Sequence, residues 1–191
     1  MLTQAAQFLL ESILNLFLIA VLLRFYMQLL RVPFRNPFAQ FIVALTDFAV
    51  KPLRRVVPGL RGIDLATLVL AWALEFALAL ALYWLGGFPF GAAGFSVLPG
   101  FAFLAVVRIL SLSLYLLLGL VFLQAILSWI NPLSPVAPIL AGLTRPFLRP
   151  VQRLMPTVGN VDLSPLVLLL AIQLLLMLPV AMLEKLATSL F

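Results

Sequence analysis

Long apolar stretches recur four times along the chain, at residues 7–30, 65–85, 101–130 and 163–183. Each reaches the roughly 20 residues that an α-helix needs to cross the hydrocarbon core of a bilayer. Polar, proline-containing segments follow the first and third stretches, and an uncharged, glycine-rich link follows the second. The pattern predicts an all-α membrane protein with four transmembrane helices.

The two polar segments resemble each other. Shifting the sequence by 98 residues places Thr46 on Thr144 and Asp64 on Asp162. The same shift aligns Pro52, Arg55 and Pro58 with Pro150, Arg153 and Pro156. Self-similarity at a fixed period indicates that the protein consists of two tandem repeats.

Each repeat is predicted to be a helical hairpin with a short interfacial helix in its loop. The repeats cover residues 1–86 and 101–191, and residues 87–100 link them. Asn36-Pro37 favours the start of the first interfacial helix, because Asn is a good N-cap and Pro fits the first helical position. We expect Asn131-Pro132 to be its counterpart, with Ser134-Pro135 as a second start signal.

Composition and charge set the orientation. The chain is 65% hydrophobic and 9% charged, far from the average soluble domain. Nine of its twelve basic residues lie in the two polar segments: Arg31, Arg35, Lys51, Arg54, Arg55, Arg61, Arg145, Arg149 and Arg153. The positive-inside rule then predicts cytoplasmic basic loops, with the link and both termini on the other side of the membrane, and parallel repeats.

The absence of cysteine and histidine removes several classes of chemistry. Without these residues the chain has no disulfides, no Cys/His zinc site, no cysteine nucleophile and no histidine base. The first apolar stretch has no basic residue before Arg24 and carries Glu11, so it is predicted to be a retained helix rather than a signal peptide.

A few polar residues fall inside the apolar stretches, and the repeat pairs them. The shift of 98 residues pairs Glu75 with Gln173, and a shift of 100, which aligns the first and third spans, pairs Arg24 with Gln124. A lone charge at such depth is costly, so a partner is expected. We predict an Arg24–Glu75 ion pair and a Gln124–Gln173 hydrogen bond in equivalent places.

Two further patterns concern the ends and faces of the spans. Asp64 and Asp162 begin the second and fourth spans, either as caps that favour the positive helix N-terminus or as a cation-binding or catalytic carboxylate pair. Ala73, Ala77 and Ala81 recur every four residues and predict a small-residue face for close helix packing, with Leu78 off that face. Pro179 predicts a kink in the last span.

A basic surface is predicted on the loops, formed by Lys51, Arg55, Arg145, Arg149 and Arg153. The last three would share one face of a helix, although Pro146 and Pro150 argue against an unbroken one. The surface is either a solvated anchor or a docking site for a soluble protein or an anionic lipid. Nucleic-acid binding is not expected, because the bilayer offers the nearer anionic partner.

The motifs S128WINP, TRPFLRPVQRLMP and V161DLSP resemble the YggT (YlmG-like) family of bacterial and plastid membrane proteins. The resemblance covers both repeats and implies a bacterial inner membrane, with the link and both termini in the periplasm. It implies a link with osmotic or potassium tolerance, with cell division and nucleoid distribution or, in plastids, with cytochrome b6 assembly. One departure is Gln124, where the family usually has an arginine, while Arg24 fills the matching place in the first repeat.

Taken with short loops and the lack of a catalytic triad, this resemblance favours a non-catalytic scaffold, assembly or cell-division factor without a cofactor. The expected partners are lipid, other membrane or cytoplasmic proteins, or a second copy of the chain. The alternative is a transport or channel component in osmotic or potassium adaptation. Broken helices and polar residues converging at mid-membrane would favour transport.

Overall fold

The computed structural model describes residues 1–59, 62–131, 133–154 and 162–191. Arg61, Pro132 and Pro156, which the sequence patterns include, lie outside the described residues. The helices are α1 (Leu2–Leu29), α2 (Pro37–Arg54), α3 (Leu65–Leu85), α4 (Phe90–Ala93), α5 (Leu98–Ile130), α6 (Ala137–Leu154), α7 (Ser164–Leu175) and α8 (Ala181–Thr188). A 3-10 turn, Gly94–Val97, precedes α5, and a π-helical turn, Leu176–Val180, joins α7 to α8.

Four helical segments in the described chain are long and apolar enough to cross a membrane: Leu2–Leu29, Leu65–Leu85, Phe90–Ile130 and Ser164–Thr188. The prediction of an all-α protein with four transmembrane helices is confirmed. The two interfacial helices, α2 and α6, each have 18 residues. They differ from the four spans in being amphipathic, with one polar face.

Local signals set the start of α2. The Asn36 side chain accepts a hydrogen bond from the Phe38 N–H at 2.8 Å, with Pro37 at the first helical position. In the second half Ser134 plays this part, because its hydroxyl accepts from the Val136 N–H at 3.4 Å. The expectation that Asn131 starts α6 is wrong: Asn131 follows the last residue of α5, and its N–H donates to the Leu127 carbonyl.

The helix α6 runs unbroken through Pro146 and Pro150, contrary to the expected interruption. Its apolar face is buried, and this packing outweighs the lost backbone hydrogen bonds. Close approach is also required, because a Cβ on Gly142 would lie 2.9 Å from Val32 Cγ2. The interfacial helices therefore pack against the ends of the spans.

The two ends of the bundle differ in composition. At one end, which we call the inner end, α2 and α6 pack with α1 and α5 around Met27, Val32 and Ile139. At the opposite, outer end, aromatic rings gather, and Phe101 stacks on Phe191 with ring centroids 4.1 Å apart. Both termini and the 87–100 link lie at the outer end, where the Gln7 amide also donates to the Leu82 carbonyl at 3.0 Å.

The predicted alanine face of α3 does not pack within the chain. Ala73 and Ala77 are exposed and Ala81 is half-buried. Leu78 and Ala79 are buried instead, because α1 and α5 contact the other side of α3. An apolar helix has weak amphipathic contrast, so alanine spacing alone does not identify the face that meets its neighbours.

This packing reverses the expected order of two substitutions. Leu78→Ala should lower the free energy of unfolding by about 2–5 kcal/mol, because it leaves a cavity beside a side chain that is 1% exposed. Ala77→Leu should change it by less than about 0.5 kcal/mol, since that position faces outward. Denaturant unfolding of the two purified variants in detergent tests the order. A larger loss for Ala77→Leu would restore the alanine face.

Candidate functional site

Arg24 is held at the inner end of the bundle. Its Nη1 donates to Thr46 Oγ1 at 2.8 Å and to Asp47 Oδ1 at 2.9 Å, and the residue is 4% exposed. The predicted Arg24–Glu75 pair is therefore wrong. The physical reason is that α2 folds back against α1. This packing places a carboxylate and a hydroxyl next to the guanidinium, on the α2 side rather than the α3 side of α1.

The matching residue of the second half makes the matching contact. The Gln124 amide lies in hydrogen-bonding contact with the Thr144 hydroxyl, which also donates to the Leu140 carbonyl at 2.8 Å. The predicted Gln124–Gln173 bond is wrong, because Gln173 is exposed on α7. In both halves, then, a polar side chain on the long helix meets a threonine on the interfacial helix.

The helix-start acids also make matching contacts. Arg54 forms an ion pair with Asp64, and the Gln152 Nε2 donates to Asp162 at 2.9 Å. Asp64 further accepts from the Thr67 N–H at 3.4 Å. Asp162 accepts from the Ser164 N–H at 2.9 Å. Asp64 is thus the N-cap of α3, as the capping alternative expects, whereas Asp162 lies one residue before the N-cap of α7, Leu163.

Their hydrogen bonds favour the ionised carboxylates. Burial alone would raise the pKa of Asp64, but hydrogen bonds from Arg54 and Thr67 outweigh it and hold the pKa below its usual value. The hydrogen bonds from Ser164 likewise lower the pKa of Asp162. Because both folded-state pKa values are lowered, the stabilising contribution is present above the ordinary pKa and is lost as pH falls through the folded value.

The predicted basic surface is exposed. Lys51 lies 2.7 Å from Asp47, and Arg55 follows the end of α2. Arg145, Arg149 and Arg153 are exposed along one side of α6. The structure therefore places these five cations at the inner end, with the largest group on a single helix.

A further polar site lies within the spans. A cavity of about 320 Å³ lies in the outer half of the bundle, between α1, α3, α5 and the π-helical turn with α8. We call it the outer cavity. Its polar lining consists of Glu11, Asn15, Glu75, Arg108, Ser111, Tyr115 and Glu184. Three of the chain's six acidic residues thus share one cavity inside the membrane-spanning part.

Glu75 is the buried member of this group. It is 1% exposed, and within the described residues no hydrogen-bond donor contacts its Oε2. An unpaired buried carboxylate oxygen is costly, because its hydration is lost and not replaced. The arrangement is the opposite of Arg24, whose guanidinium has several partners.

The π-helical turn lies against the outer cavity. Leu176 and Val180, at its two ends, both line the cavity, and Pro179 lies between them. Where the sequence predicts a kink, at Pro179, the structure has a widened helical turn. Such turns occur often at functional sites, because they shift the register of a helix and expose backbone groups.

Sequence reasoning missed the outer cavity, although a signal exists. Arg108, Ser111 and Tyr115 are three and four residues apart on α5, and Glu11 and Asn15 are four apart on α1. Residues at these spacings share a helix face. Two polar faces in apolar spans indicate a common polar interior.

Comparisons with known proteins identify a protein family and several relatives of this chain. The CCB3/YggT family matches residues 3–85 and 103–183. The Pseudomonas aeruginosa protein PA0392 is 38% identical over 179 residues, which cover 93% of this chain and 89% of that protein. Escherichia coli K12 YggT is 35% identical over 164 residues, which cover 85% and 82% of the two chains. A Vibrio alginolyticus protein encoded in the proC 3′ region is 35% identical over 170 residues, covering 87% and 88%. No solved structure matches the chain.

Proposed function

This chain belongs to the CCB3/YggT family, and we propose that it is a transport or channel component of the bacterial inner membrane, active in osmotic or ionic adaptation. The observation that carries the proposal is the outer cavity, which brings Glu75, whose Oε2 has no donor among the described residues, together with six other polar side chains. An ionisable residue inside a span that faces a polar cavity is a functional-site candidate, because its insertion is costly.

The depth of Glu75 supports this assignment. It lies ten residues into α3, about 15 Å along the helix at ~1.5 Å per residue. That is about half the ~30 Å thickness of the hydrocarbon core. The outer cavity thus offers a polar route from the outer surface to the middle of the membrane.

A second cavity, of about 410 Å³, approaches from the inner end and is lined by Arg24, Gln28 and Asp47. Leu18, Val21 and Leu22 lie between the two cavities along α1, and all three are at most 1% exposed. An apolar layer inside a helical bundle excludes water and is the form that a hydrophobic gate takes. We propose that this layer is the closed gate of the pathway.

A substitution in the gate should increase transport. Leu22→Ser would place a hydroxyl in the apolar layer and hydrate it, so solute flux should rise at least roughly tenfold over the unmodified chain, which corresponds to a barrier lowered by about 1.4 kcal/mol. The measurement is the release of ions from liposomes that contain the purified protein, followed with ion-sensitive dyes.

Leu16→Ser is the matched control, because Leu16 lies on the same helix but is 71% exposed and faces lipid. Its flux should equal that of the unmodified protein. If liposomes with Leu22→Ser leak no faster than liposomes with the unmodified chain, the transport proposal is contradicted.

A membrane scaffold is the second candidate function, in assembly or cell division. The exposed arginines on α6 support it, because a cationic helix face at the inner end can bind an acidic cytoplasmic protein or anionic lipid. In both proposals the chain is not an enzyme, the basic loops face the cytoplasm and the termini face the periplasm. The gate experiment separates them, since a scaffold requires no flux.

A further inference from the structure

We infer that the outer cavity is a binding site for a hydrated inorganic cation, with the Glu75 carboxylate as its direct ligand. The inference rests on the proposed function in the sense that both use the same cavity. It goes further by naming the class of ligand and the residues that recognise it.

The charge of the cavity favours a cation. Its described lining carries three carboxylates, from Glu11, Glu75 and Glu184, against the single guanidinium of Arg108. A wall with excess negative charge in surroundings of low dielectric constant concentrates cations. The buried Glu75 oxygen, which has no donor among the described residues, supplies the acceptor that a cation requires.

The donor atoms indicate a hard cation. Besides the carboxylates, the lining offers the Asn15 amide oxygen and the hydroxyls of Ser111 and Tyr115. The Ser111 hydroxyl donates its proton to the Val107 carbonyl at 3.0 Å, so the lone pairs of its oxygen remain able to bind a cation. Oxygen ligands without sulfur or imidazole suit alkali and alkaline-earth ions rather than transition metals.

The geometry indicates that the cation keeps part of its water. Within the residues that the structure describes, no three acidic, histidine or cysteine side chains are close enough to enclose a bare ion. A volume of about 320 Å³ corresponds to about ten water molecules at ~30 Å³ each. A partly hydrated ion held by Glu75, with Glu11 and Glu184 toward the opening, fits both facts.

Arg108 is a positioning residue in this site. It lies on α5 in the wall of the cavity and is half-buried, so its positive charge lies in the same cavity as the carboxylates. A bound cation must compete with that charge. Removing it should strengthen binding, which a purely structural role for Arg108 would not do.

The test uses the full-length protein in nanodiscs of zwitterionic lipid, at alkaline pH to keep carboxylates ionised. Sodium, potassium or magnesium chloride replaces choline chloride at constant ionic strength, so that screening does not change. At a hundredfold excess over Kd, the bound cation should raise the Tm of the unmodified protein by roughly 5–10 °C. The ion that gives the rise at the lowest concentration identifies the preferred charge class.

Three variants decide the assignment. Glu75→Gln keeps the shape of the side chain and should abolish the Tm rise, whereas Asp162→Asn, which removes a carboxylate outside the cavity, should keep it. Arg108→Gln should lower the concentration needed by roughly tenfold. Because a misfolded variant cannot bind more tightly, this gain keeps the inference testable even if Glu75→Gln folds poorly.

An equal Tm rise in Glu75→Gln and the unmodified protein, or no rise with any of the three ions, would overturn the cation site. Flux measured with the same purified proteins in liposomes, with and without Leu22→Ser, separates this outcome from the transport proposal. Glu75-dependent stabilisation without flux would leave the cation site and remove transport. Flux without Glu75-dependent stabilisation would do the reverse.

Discussion

Arg24→Gln is expected to lower the free energy of unfolding by about 2–4 kcal/mol. The substitution removes the guanidinium that contacts Thr46 and Asp47, and the position is 4% exposed, so water cannot fully replace it. The loss falls short of that for a fully buried ion pair, because Asp47 keeps Lys51 at 2.7 Å. Denaturant unfolding in detergent micelles measures the effect.

A second substitution identifies the partner of Arg24. In the Arg24→Gln background, Asp47→Asn should recover part of the loss, because it removes the carboxylate left without its guanidinium. Glu75→Gln should not recover that loss through coupling with position 24, since Arg24 contacts α2 rather than Glu75. Non-additive recovery by Glu75→Gln, absent for Asp47→Asn, would instead restore the Arg24–Glu75 pair.

The pH dependence gives a further check. Hydrogen bonds from Lys51 and Arg24 lower the pKa of Asp47, despite the opposing effect of burial. Its stabilising contribution is therefore present above the ordinary pKa of about 3.9 and is lost as pH falls through the folded value. The stability difference between the unmodified protein and Arg24→Gln should shrink on acidification over that range.

Local patterns predicted the spans and the start of α2. Twenty apolar residues define a span whatever its neighbours are, and Asn36-Pro37 caps a helix with atoms two residues apart. The same holds for Asp64 at the start of α3. These features could be predicted because each depends on a single continuous stretch of sequence.

The partners of the buried polar residues required tertiary information. Helix rise gives the depth of Arg24 and Glu75 but not the direction in which each side chain points. The packing of α2 against α1 decides that Arg24 meets Asp47, while Glu75 faces α5 and the outer cavity. The 98-residue shift nevertheless contained part of the answer, because Thr46 and Thr144 are equivalent and both are contacted by the long helix of their half.

The outer cavity is assembled from residues far apart in sequence. Glu11 and Glu184 are near opposite termini, so no local motif joins them. The π-helical turn that borders the cavity depends on how α7 and α8 pack, and Pro179 alone predicts only an irregularity. The spacing of polar residues on α1 and α5 does indicate a shared polar interior. It does not show which other helices complete the cavity.

Glu75→Met is expected to raise the free energy of unfolding by about 1–3 kcal/mol in choline buffer, where small inorganic cations are absent. Methionine has nearly the volume of glutamate, and it removes a carboxylate whose Oε2 has no donor among the described residues. Thermal unfolding in nanodiscs measures the change.

Glu11→Met is the matched control, since Glu11 lines the same cavity but is exposed, and its effect should stay within about 0.5 kcal/mol. A gain in stability at position 75 would mean that the chain retains a carboxylate that opposes folding, which is expected where a ligand rather than the fold requires the charge. Destabilisation by Glu75→Met in the same buffer would instead show that the carboxylate holds the bundle together, and it would assign Glu75 a structural role.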